Sequence, residues 1–390
     1  MNGITEDNLL KVALSGHIDS TNAPVLETEV MAQRESCPHD GMILDLKDLT
    51  YISSAGLRMV LHLGKLEPQL KLVNASPEVY EILDITGFTE MFSVEKAYRV
   101  LSVEGCEIIG QGANGTVYRI DRETVVKVYR NPDCLPDVKR ERELARRAFV
   151  LGIPTAIPYD VVRVGDSYGS VFELVNSRSF SRLIAACPEE IDHYVDLYVE
   201  LMQKLHSTHA KPGDVPDIRE FAMDCVRYAQ QLLPEEAGKK LQTMMEAIPD
   251  RDTLLHGDYH TNNIVMQNDE VLILDMDTLY CGHPVFELAS MYMAFVGFGE
   301  LDPAVVRNFL KMPYETAKEF WKKSLKRYLN TENQEYVDEV EKKAMVIGYA
   351  RLMRRTMRRD GFSTEEGRKV IELCRSRLIQ LLGELDNLYF

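Results

Sequence analysis

The first hundred residues alternate between two patterns of apolar positions. Residues 9–18 and 41–46 carry the short apolar runs that are typical of strands in a sheet. The polar run Asp19-Ser-Thr-Asn-Ala-Pro24 has the residue types that begin helices. Alternating strands and helices with short turns predict a small α/β domain, a sheet flanked by helices. Its elements are predicted as strands at 9–18, 41–46 and 70–73 and helices at 25–35, 57–66 and 78–86.

The pattern changes after about residue 104. Two β-rich runs surround a glycine-rich loop, a helix is predicted at 137–149, and strands follow at 160–164 and 170–175. From residue 181 the periodicity becomes helical and is strongest at 191–206. Further helices are predicted at 284–295, 303–311, 314–329, 335–359 and 364–385. A sheet-rich segment is thus followed by a long helical one.

Composition narrows the class of protein. The chain has 390 residues, enough for two or three domains, and its net charge of −16 argues against a nucleic-acid partner. The N-terminus has no signal-like features, and the longest apolar runs are too short to span a bilayer, so we expect no membrane partner and a cytoplasmic location. The seven cysteines form no C-x-x-C pair, so neither a disulfide framework nor a zinc site is indicated.

The candidate chemistry is concentrated in residues 256–275. The stretch His256-Gly-Asp-Tyr-His-Thr-Asn-Asn263 has the spacing H-x-D-x-x-x-x-N of phosphoryl-transfer loops, and an apolar strand ending at Asp275 follows it. In such a loop Asp258 would orient the acceptor hydroxyl, while Asn263 and Asp275 would bind magnesium. Alternatively, these polar residues only cap turns. The motif by itself does not decide between the two.

A glycine-rich segment upstream favours the catalytic interpretation. Gly110, Gly112 and Gly115 fit G-x-G-x-x-G, but they lie between two β-rich runs and not between a strand and a helix, which argues against a dinucleotide-binding turn. The loop is therefore predicted to be the tip of a hairpin, with Lys127 on the next strand, as in the nucleotide-binding lobe of kinases. We expect the glycines to cover the phosphates of ATP and Lys127 to contact them.

Two further parts of this lobe follow from the same layout. The helix at 137–149 would supply a glutamate for Lys127, with Glu143 as the first choice and Glu141 as the second, because the sequence does not fix the helix register. Backbone groups of Glu173 to Val175 would lie at the hinge and meet adenine.

The N-terminal domain resembles a known family. Residues Asp45-Leu-Lys-Asp-Leu-Thr-Tyr-Ile-Ser-Ser-Ala-Gly-Leu-Arg58, with Gly16-His-Ile-Asp19, resemble the STAS domain of anti-sigma-factor antagonists. The resemblance implies that a loop serine before a helix is phosphorylated and switches binding to a regulatory protein. It places this serine at Ser54; Ser53 stands where the family has an acidic residue and is a second candidate. Alternatively, Ser54 only caps the helix.

Residues 104–385 resemble the aminoglycoside phosphotransferase family, which includes choline-kinase-like enzymes. The resemblance is carried by the glycines, Lys127, residues 256–263, Leu274-Asp-Met-Asp277 and Gly282-His-Pro-Val-Phe-Glu-Leu-Ala289, where His283 and Glu287 replace two aspartates of the family. It implies a two-lobed α+β protein-kinase-like fold after the STAS domain. The expected boundaries are 1–98 for the STAS domain, 99–178 for the nucleotide-binding lobe and 179–390 for the helical lobe.

Two absences separate the chain from eukaryotic-type protein kinases. Gly257 stands where an arginine would bind a phosphorylated activation loop, and Asp275 is followed by Met-Asp rather than Phe-Gly. We therefore expect an ATP- and Mg²⁺-dependent transferase, a kinase with an alcohol acceptor, linked to a STAS domain. The acceptor is a small hydroxylated molecule or a protein serine, including Ser54 itself. The alternative is a signalling module that only senses nucleotide.

The acceptor is not identified by the sequence. A basic cluster at Arg351, Arg354, Arg355, Arg358 and Arg359 has helical spacing and could face an anionic acceptor or a phosphorylated partner, although a solvated helix face is the favoured explanation. Resemblance to drug-modifying enzymes is poor evidence for a role in drug resistance.

Overall fold

A computed structural model describes residues 4–6, 8–112, 115–211 and 213–390, with the backbone alone for 4–6. The chain divides into two compact units. The first comprises Met1–Ser102 with Val161–Asp166, and the second comprises Val103–Asp160 with Ser167–Phe390. Ala113 and Asn114, at the tip of the predicted glycine loop, lie outside the described residues.

The first unit contains a five-stranded sheet in the order β1-β2-β3-β4-β5. Strand β1 is antiparallel to β2, and the remaining neighbours are parallel. The strands are β1 (Ile4–Glu6), β2 (Leu9–Ile18), β3 (Gly41–Ile52), β4 (Lys71–Ala75) and β5 (Ser93–Lys96). The helices are α1 (Ala23–Ser36), α2 (Ser54–Leu66), α3 (Pro77–Ile85) and α4 (Phe88–Met91). The predicted α/β alternation is confirmed.

The core of this unit follows from the apolar pattern. On β2, Leu10, Val12 and Leu14 are buried at every second position, because alternate side chains of a strand point to the same face. Helix α2 packs closely against the sheet at Gly56, where an added Cβ would lie 2.6 Å from Cγ1 of Ile52. A glycine is needed here because no larger side chain fits between helix and strand.

Two short strands complete the first unit. They are β6 (Arg99–Val100) and part of β10 (Pro158–Val164). They pair in parallel, Arg99 with Val162 and Val100 with Arg163, within the residues of this unit.

The second unit begins with an antiparallel hairpin. Strands β7 (Glu107–Gln111) and β8 (Gly115–Arg119) pair with each other, and β8 pairs with β9 (Thr124–Tyr129), which pairs with β11 (Ser167–Glu173). The predicted hairpin and the position of Lys127 on the next strand are confirmed. Helix α5 (Leu135–Val150) follows and packs against this sheet.

The rest of the second unit is mainly helical, as its periodicity predicts. Helix α10 is buried along its whole length, as expected for a helix that is apolar on all sides. The helices are α6 (Phe180–Ala186), α7 (Ile191–His206), α8 (Ile218–Gln230), α9 (Glu235–Glu246), α10 (Val285–Phe295), α11 (Pro303–Leu310), α12 (Tyr314–Leu329), α13 (Gln334–Arg358) and α14 (Glu365–Glu384). Short strands interrupt them: β12 (Arg178–Ser179), β13 (Leu254–Leu255), β14 (Ile264–Gln267), β15 (Glu270–Ile273) and β16 (Tyr280–Cys281).

Within the described part of the chain, none of the helices has both the length and the apolar character required to cross a bilayer. The expected division between the two kinase lobes at residue 178 remains a prediction.

Candidate active site

The loop that carries Asp258 makes a turn that only glycine accommodates. Gly257 has φ of +79°, and an added Cβ would lie 2.4 Å from the carbonyl oxygen of Thr278. A side chain at this position would therefore suffer both backbone strain and a collision. The arginine of protein kinases cannot occupy this position in the present backbone.

His256 fixes the turn through both ring nitrogens. The N–H of Asp258 donates to Nδ1 at 3.2 Å, so Nδ1 must be the unprotonated nitrogen, and Nε2 donates to the carbonyl of Leu274 at 3.0 Å. The buried imidazole therefore bridges the loop of Asp258 and the residue that follows β15.

A buried carboxylate holds the same loop from the other side. Glu287 of α10 accepts the backbone N–H groups of His256 at 2.5 Å and Gly257 at 3.0 Å. Burial alone would raise the pKa of Glu287, but hydrogen bonds and neighbouring histidines outweigh burial and lower the pKa. In the sequence, Glu287 stood out only as a replacement for a family aspartate; the geometry shows that it positions the loop before Asp258.

The residue after Asp258 ties the loop to α7. The hydroxyl of Tyr259 donates to the carbonyl of Tyr198 at 2.8 Å, and the hydroxyl of Tyr198 donates to the carbonyl of Tyr259 at 2.9 Å. Both rings are fully buried. This reciprocal pair makes the backbone on the C-terminal side of Asp258 as restrained as the backbone before it.

The carboxylate of Asp258 faces two cationic or polar groups. Its Oδ2 lies 3.3 Å from Nε2 of His260, and the guanidinium of Arg351 donates to the neighbouring carbonyl of Gly257 at 2.8 Å. Burial alone would raise the pKa of Asp258, but the hydrogen bond with His260 and the charge of Arg351 outweigh it and hold the pKa below its usual value. The carboxylate is therefore ionised at neutral pH.

The predicted metal ligands lie beside this carboxylate or at the end of the next hairpin. Asn263 donates its side-chain N–H to the carbonyl of Asp258 at 3.1 Å, and its own backbone carbonyl accepts from the N–H of Leu274. Asp275, two residues after the end of β15, has the left-handed φ of +65° and an exposed carboxylate. The structure thus brings Asp258, Asn263 and Asp275 into one site.

Lys127 joins the hairpin sheet to the catalytic segment of this unit. Its ammonium lies 2.9 Å from Oε1 of Glu141 and 2.8 Å from Oδ1 of Asp275. Burial alone would lower the pKa of Lys127, but the charges of Asp275 and Glu141 outweigh it and raise the pKa, so the lysine stays protonated.

The first choice for the lysine partner is wrong. Glu143 points away from Lys127 and pairs with Arg146 at 2.9 Å and Arg147 at 2.8 Å. These bonds, that of Arg146 above all, lower the pKa of Glu143 to about 2. Residues two positions apart on a helix lie on nearly opposite sides, so only one of Glu141 and Glu143 can face the sheet, and it is Glu141, the second choice.

Asp277 is a further acidic group in the site that was not singled out as a ligand. Burial, and then the charge of Asp275, raises the pKa of Asp277 to about 6. The signal was its place two residues after Asp275, in the short turn that follows β15.

The three glycines of the hairpin differ in how much space a Cβ atom would find at each position. A Cβ on Gly115 would lie 2.4 Å from the carbonyl oxygen of Val128, so this position requires glycine. A Cβ on Gly110 would make only an ordinary contact at 3.5 Å, and Gly112 faces open space. The N–H of Gly112 donates to the carbonyl of Gly115 at 2.9 Å, which closes the base of the loop.

At the hinge, most backbone donors are already used. The N–H of Glu173 donates to the carbonyl of Ile157, and that of Leu174 donates to the carbonyl of Glu123. For Val175 the contact seen is at its carbonyl, which accepts from the hydroxyl of Ser177 at 3.3 Å. Of the predicted hinge donors, Glu173 is therefore occupied, and Val175 remains the candidate.

The two serines at the start of α2 have different environments. Ser53 is the N-cap of α2, and its hydroxyl accepts from the N–H groups of Ala55 at 3.2 Å and Gly56 at 3.5 Å. Ser54, the first residue of the helix, is exposed. The alternative that Ser54 caps the helix is wrong, because Ser53 does so.

Comparison with known proteins assigns each unit. Residues 3–101 match the STAS domain model, and residues 105–320 match the phosphotransferase enzyme family. A putative anti-sigma factor antagonist, BtrV of Bordetella bronchiseptica, is 40% identical over 92 residues, which are 23% of this chain and 78% of that protein. A STAS-domain protein of Pseudomonas aeruginosa is 39% identical over 56 residues, 13% of this chain and 55% of its own length.

Solved structures show the same fold for the second unit. A thermostable mutant of aminoglycoside phosphotransferase APH(4)-Ia aligns with a TM-score of 0.50 at 14% identity, over 72% of this chain and 94% of its own. A ternary complex of a thermostable mutant of the same enzyme with ADP and hygromycin B also gives 0.50, at 12% identity over 71% and 93% of the two chains. The family model matches more than half of the chain, so this protein, which carries a STAS domain before its kinase-like unit, belongs to the phosphotransferase enzyme family and is an enzyme that acts on hydroxyl acceptors.

Proposed function

We propose that the protein transfers the γ-phosphoryl group of ATP to a hydroxyl acceptor, with Asp258 as the catalytic residue and magnesium held by Asn263 and Asp275. The convergence of Asp258, Asn263 and the Lys127–Asp275 pair in one site carries this proposal. Turn capping alone would not bring an amide, two carboxylates and a buried lysine together from segments separated by more than a hundred residues.

The nucleotide side of the site is supported by Lys127 and the hairpin. A protonated lysine fixed by Glu141 can contact the phosphates, while the narrow loop at Gly115 allows the backbone to cover them. Val175 is the candidate for a backbone contact with adenine. The ADP in the ternary complex of APH(4)-Ia supports a nucleotide in this fold.

The residues present fit magnesium by their chemistry. Asn263 and Asp275 offer the hard oxygen ligands that this ion prefers, and Asp277 adds a second carboxylate beside Asp275. Among the residues the structure describes, no group of three or more His, Cys, Asp or Glu is arranged to hold a metal. We therefore propose that Mg²⁺ completes its coordination with phosphate oxygens and water, and that it neutralises charge on the transferred group.

The role of Asp258 follows from its charge and its restraint. Because its carboxylate stays ionised, it can accept the proton of an acceptor hydroxyl while that oxygen forms a bond to the γ-phosphorus. The bond between the γ-phosphorus and its leaving oxygen breaks in the same step. His256, Glu287 and Tyr259 keep the loop in one conformation, which positions the base without any movement.

For the STAS domain we propose a regulatory partner whose binding depends on phosphorylation of Ser54. Ser54 is exposed at the start of α2, where a phosphate would lie at the positive end of the helix dipole. Ser53 is less suited because its hydroxyl is engaged as the cap. The likeness to a putative anti-sigma factor antagonist supports this assignment.

The substitution Asp258→Asn tests the catalytic proposal. We expect nucleotide affinity to be retained and phosphoryl transfer, measured as ADP release with Mg²⁺, to fall by roughly 10²–10⁴-fold, the usual contribution of a positioned base. Asp269→Asn is a matched control, since Asp269 is exposed on the β14–β15 turn and asparagine accepts its left-handed φ of +64°. Retention of most activity by Asp258→Asn would overturn the role assigned to Asp258.

A further inference from the structure

A row of arginines lies beside the proposed catalytic loop. Helix α13 presents Arg351 and Arg355 one turn apart, and Arg359 is its C-cap residue. Arg351 donates to the carbonyl of Gly257, so this end of the row touches the residue before Asp258. Arg355 follows Arg351 by four residues and therefore lies on the same face of α13.

Aromatic rings connect this row with the catalytic loop. The guanidinium of Arg355 lies over the ring of Phe298 at 5.2 Å, and Phe298 contacts Phe309, with the ring centroids 6.5 Å apart. Phe309 lies edge-on to His260 at 4.7 Å, and His260 contacts Asp258. These side chains form a continuous wall from Arg355 to the reacting carboxylate.

The arginines of this wall differ in their partners. Arg354 forms an ion pair with Asp224 and is thereby neutralised. No carboxylate forms an ion pair with Arg351, Arg355 or Arg359 within the described ranges. The side chain of Arg355 is exposed at the surface, and partial desolvation by neighbouring atoms, followed by repulsion from Arg359 and Arg351, lowers its pKa.

Two acidic groups close to this wall are already used. Asp224 binds both Arg354 and Arg227, and Glu300 binds Arg377 at 2.9 Å as well as the hydroxyl of Tyr349. A polycation entering beside α13 would therefore meet aromatic rings and arginines that form no ion pair. It could not be bound by Asp258 either, because that carboxylate has to stay free for catalysis. An anion would instead relieve the mutual repulsion of the arginines.

From this arrangement we infer that the acceptor is an acidic alcohol, a small hydroxylated molecule whose carboxylate or phosphate group binds Arg355 and Arg359 while its hydroxyl faces Asp258. Guanidinium groups bind both kinds of anion through paired N–H donors, so the shared chemistry is a planar or tetrahedral oxyanion. The inference rests on the proposed phosphoryl transfer, because it is the hydroxyl next to Asp258 that gives this molecule its role.

The binding part of the test needs no turnover. The full-length protein is loaded with ADP and Mg²⁺, which fills the positions of the α- and β-phosphates, and is titrated calorimetrically with tartrate, a hydroxylated dicarboxylate. We expect tartrate to bind and its affinity to fall roughly tenfold or more in Arg355→Gln, as for loss of one charge-assisted contact. Lys369→Gln removes an equal charge from the exposed face of α14 and should leave the affinity unchanged.

The turnover part compares matched acceptors with ATP and Mg²⁺. Glycerate should be used better than glycerol and gluconate better than glucose, while glucose 6-phosphate tests phosphate as the anchoring group and kanamycin tests a polycation. Arg355→Gln should raise KM for the acidic member of each pair and erase its advantage over the neutral member. Preference for kanamycin or glycerol, or an unchanged tartrate affinity in Arg355→Gln, would overturn the inference. Arg355-dependent tartrate binding without transfer to any acceptor would instead support the anion site and overturn the proposed transferase activity.

Discussion

Two polar loops of this molecule follow a buried strand, the loop of Ser53 and Ser54 and the loop of Asp258. The first is held by hydrogen bonds to neighbouring residues and the second by hydrogen bonds to distant ones. The Ser53–Ser54 loop is shaped by its own neighbours, because the cap hydroxyl binds N–H groups two and three residues ahead. The loop of Asp258 is shaped from a distance: Glu287 is 30 residues or more away, and Arg351 is 94 residues from Gly257. A loop of the first kind can change its charge locally, whereas one of the second kind changes only if several elements move.

This difference suits the tasks proposed for the two loops. A switch serine must be accessible to another protein, and Ser54 is exposed on the first turn of its helix. A catalytic carboxylate must hold its direction through each reaction, and Asp258 lies between a glycine turn, a bridging histidine and a locked tyrosine pair. The catalytic loop should therefore be far more sensitive to distant substitutions than the serine loop.

The largest effect is expected at Glu287. The substitution Glu287→Gln replaces one acceptor oxygen by an N–H donor, so the buried N–H of His256 or Gly257 loses its partner. We expect the free energy of unfolding to fall by about 2–4 kcal/mol and kcat to fall with it, since loss of buried charge-assisted bonds costs this much. Denaturant unfolding followed by circular dichroism, together with ADP release, measures both quantities.

Glu270→Gln provides the control for that experiment, because Glu270 is exposed on β15 and the same atoms change. It should leave stability and turnover near the values of the wild-type protein. If Glu287→Gln were equally silent, the catalytic loop would not depend on α10, and the contrast between the two loops would fail.

A smaller effect is expected at the lysine partner. The substitution Glu141→Gln removes the buried carboxylate that fixes Lys127, and we expect kcat/KM for ATP to fall roughly tenfold, mainly through KM, because the lysine then keeps only its ion pair with Asp275. Glu143→Gln is a closely matched control on the same helix. It breaks exposed pairs with Arg146 and Arg147, which are typically worth less than about 1 kcal/mol, and should leave kcat/KM unchanged.

Steady-state kinetics with varied ATP distinguishes these two variants. A larger loss in Glu143→Gln than in Glu141→Gln would show that α5 has a different rotation when nucleotide is bound, and it would restore the original choice of Glu143.

The pair at 141 and 143 also shows where sequence reasoning stops. The presence of α5 followed from periodicity and from the layout around Lys127, because both are short-range properties. Which glutamate faces the lysine depends on the rotation of the helix about its own axis, which is set by packing of Leu144 and Val138 against the rest of the unit. Such a choice is made by the whole fold, so a motif cannot supply it.

The residues of the candidate site also fall into two groups, those predictable from local spacing and those placed by the packing of the whole unit. Asp258, Asn263 and Asp275 could be named from spacing, because a short loop and one hairpin bring them together. Glu287 was noticed only as a departure from a family motif, and the contact of Arg351 with Gly257 could not be predicted, because α13 reaches the loop only through the packing of the helices around it. Gly257 was interpreted as a missing arginine, and the structure adds the reason that a Cβ would strike Thr278.

The smallest effects are expected in the serine loop, where substitutions at Ser53 and Ser54 should change the free energy of unfolding by different amounts. Ser53→Ala removes the cap of α2 and should lower the free energy of unfolding by about 1 kcal/mol, whereas Ser54→Ala should change it by less than about 0.5 kcal/mol. Ser54→Asp places a negative charge on the first turn, where the helix dipole favours it, and should raise stability by about 0.3–1 kcal/mol at low salt. Denaturant unfolding of the full-length variants at two salt concentrations measures all three. A destabilising Ser54→Asp would mean that this helix end cannot receive a phosphate without rearranging, and the serine loop would then depend on its surroundings as strongly as the catalytic loop does.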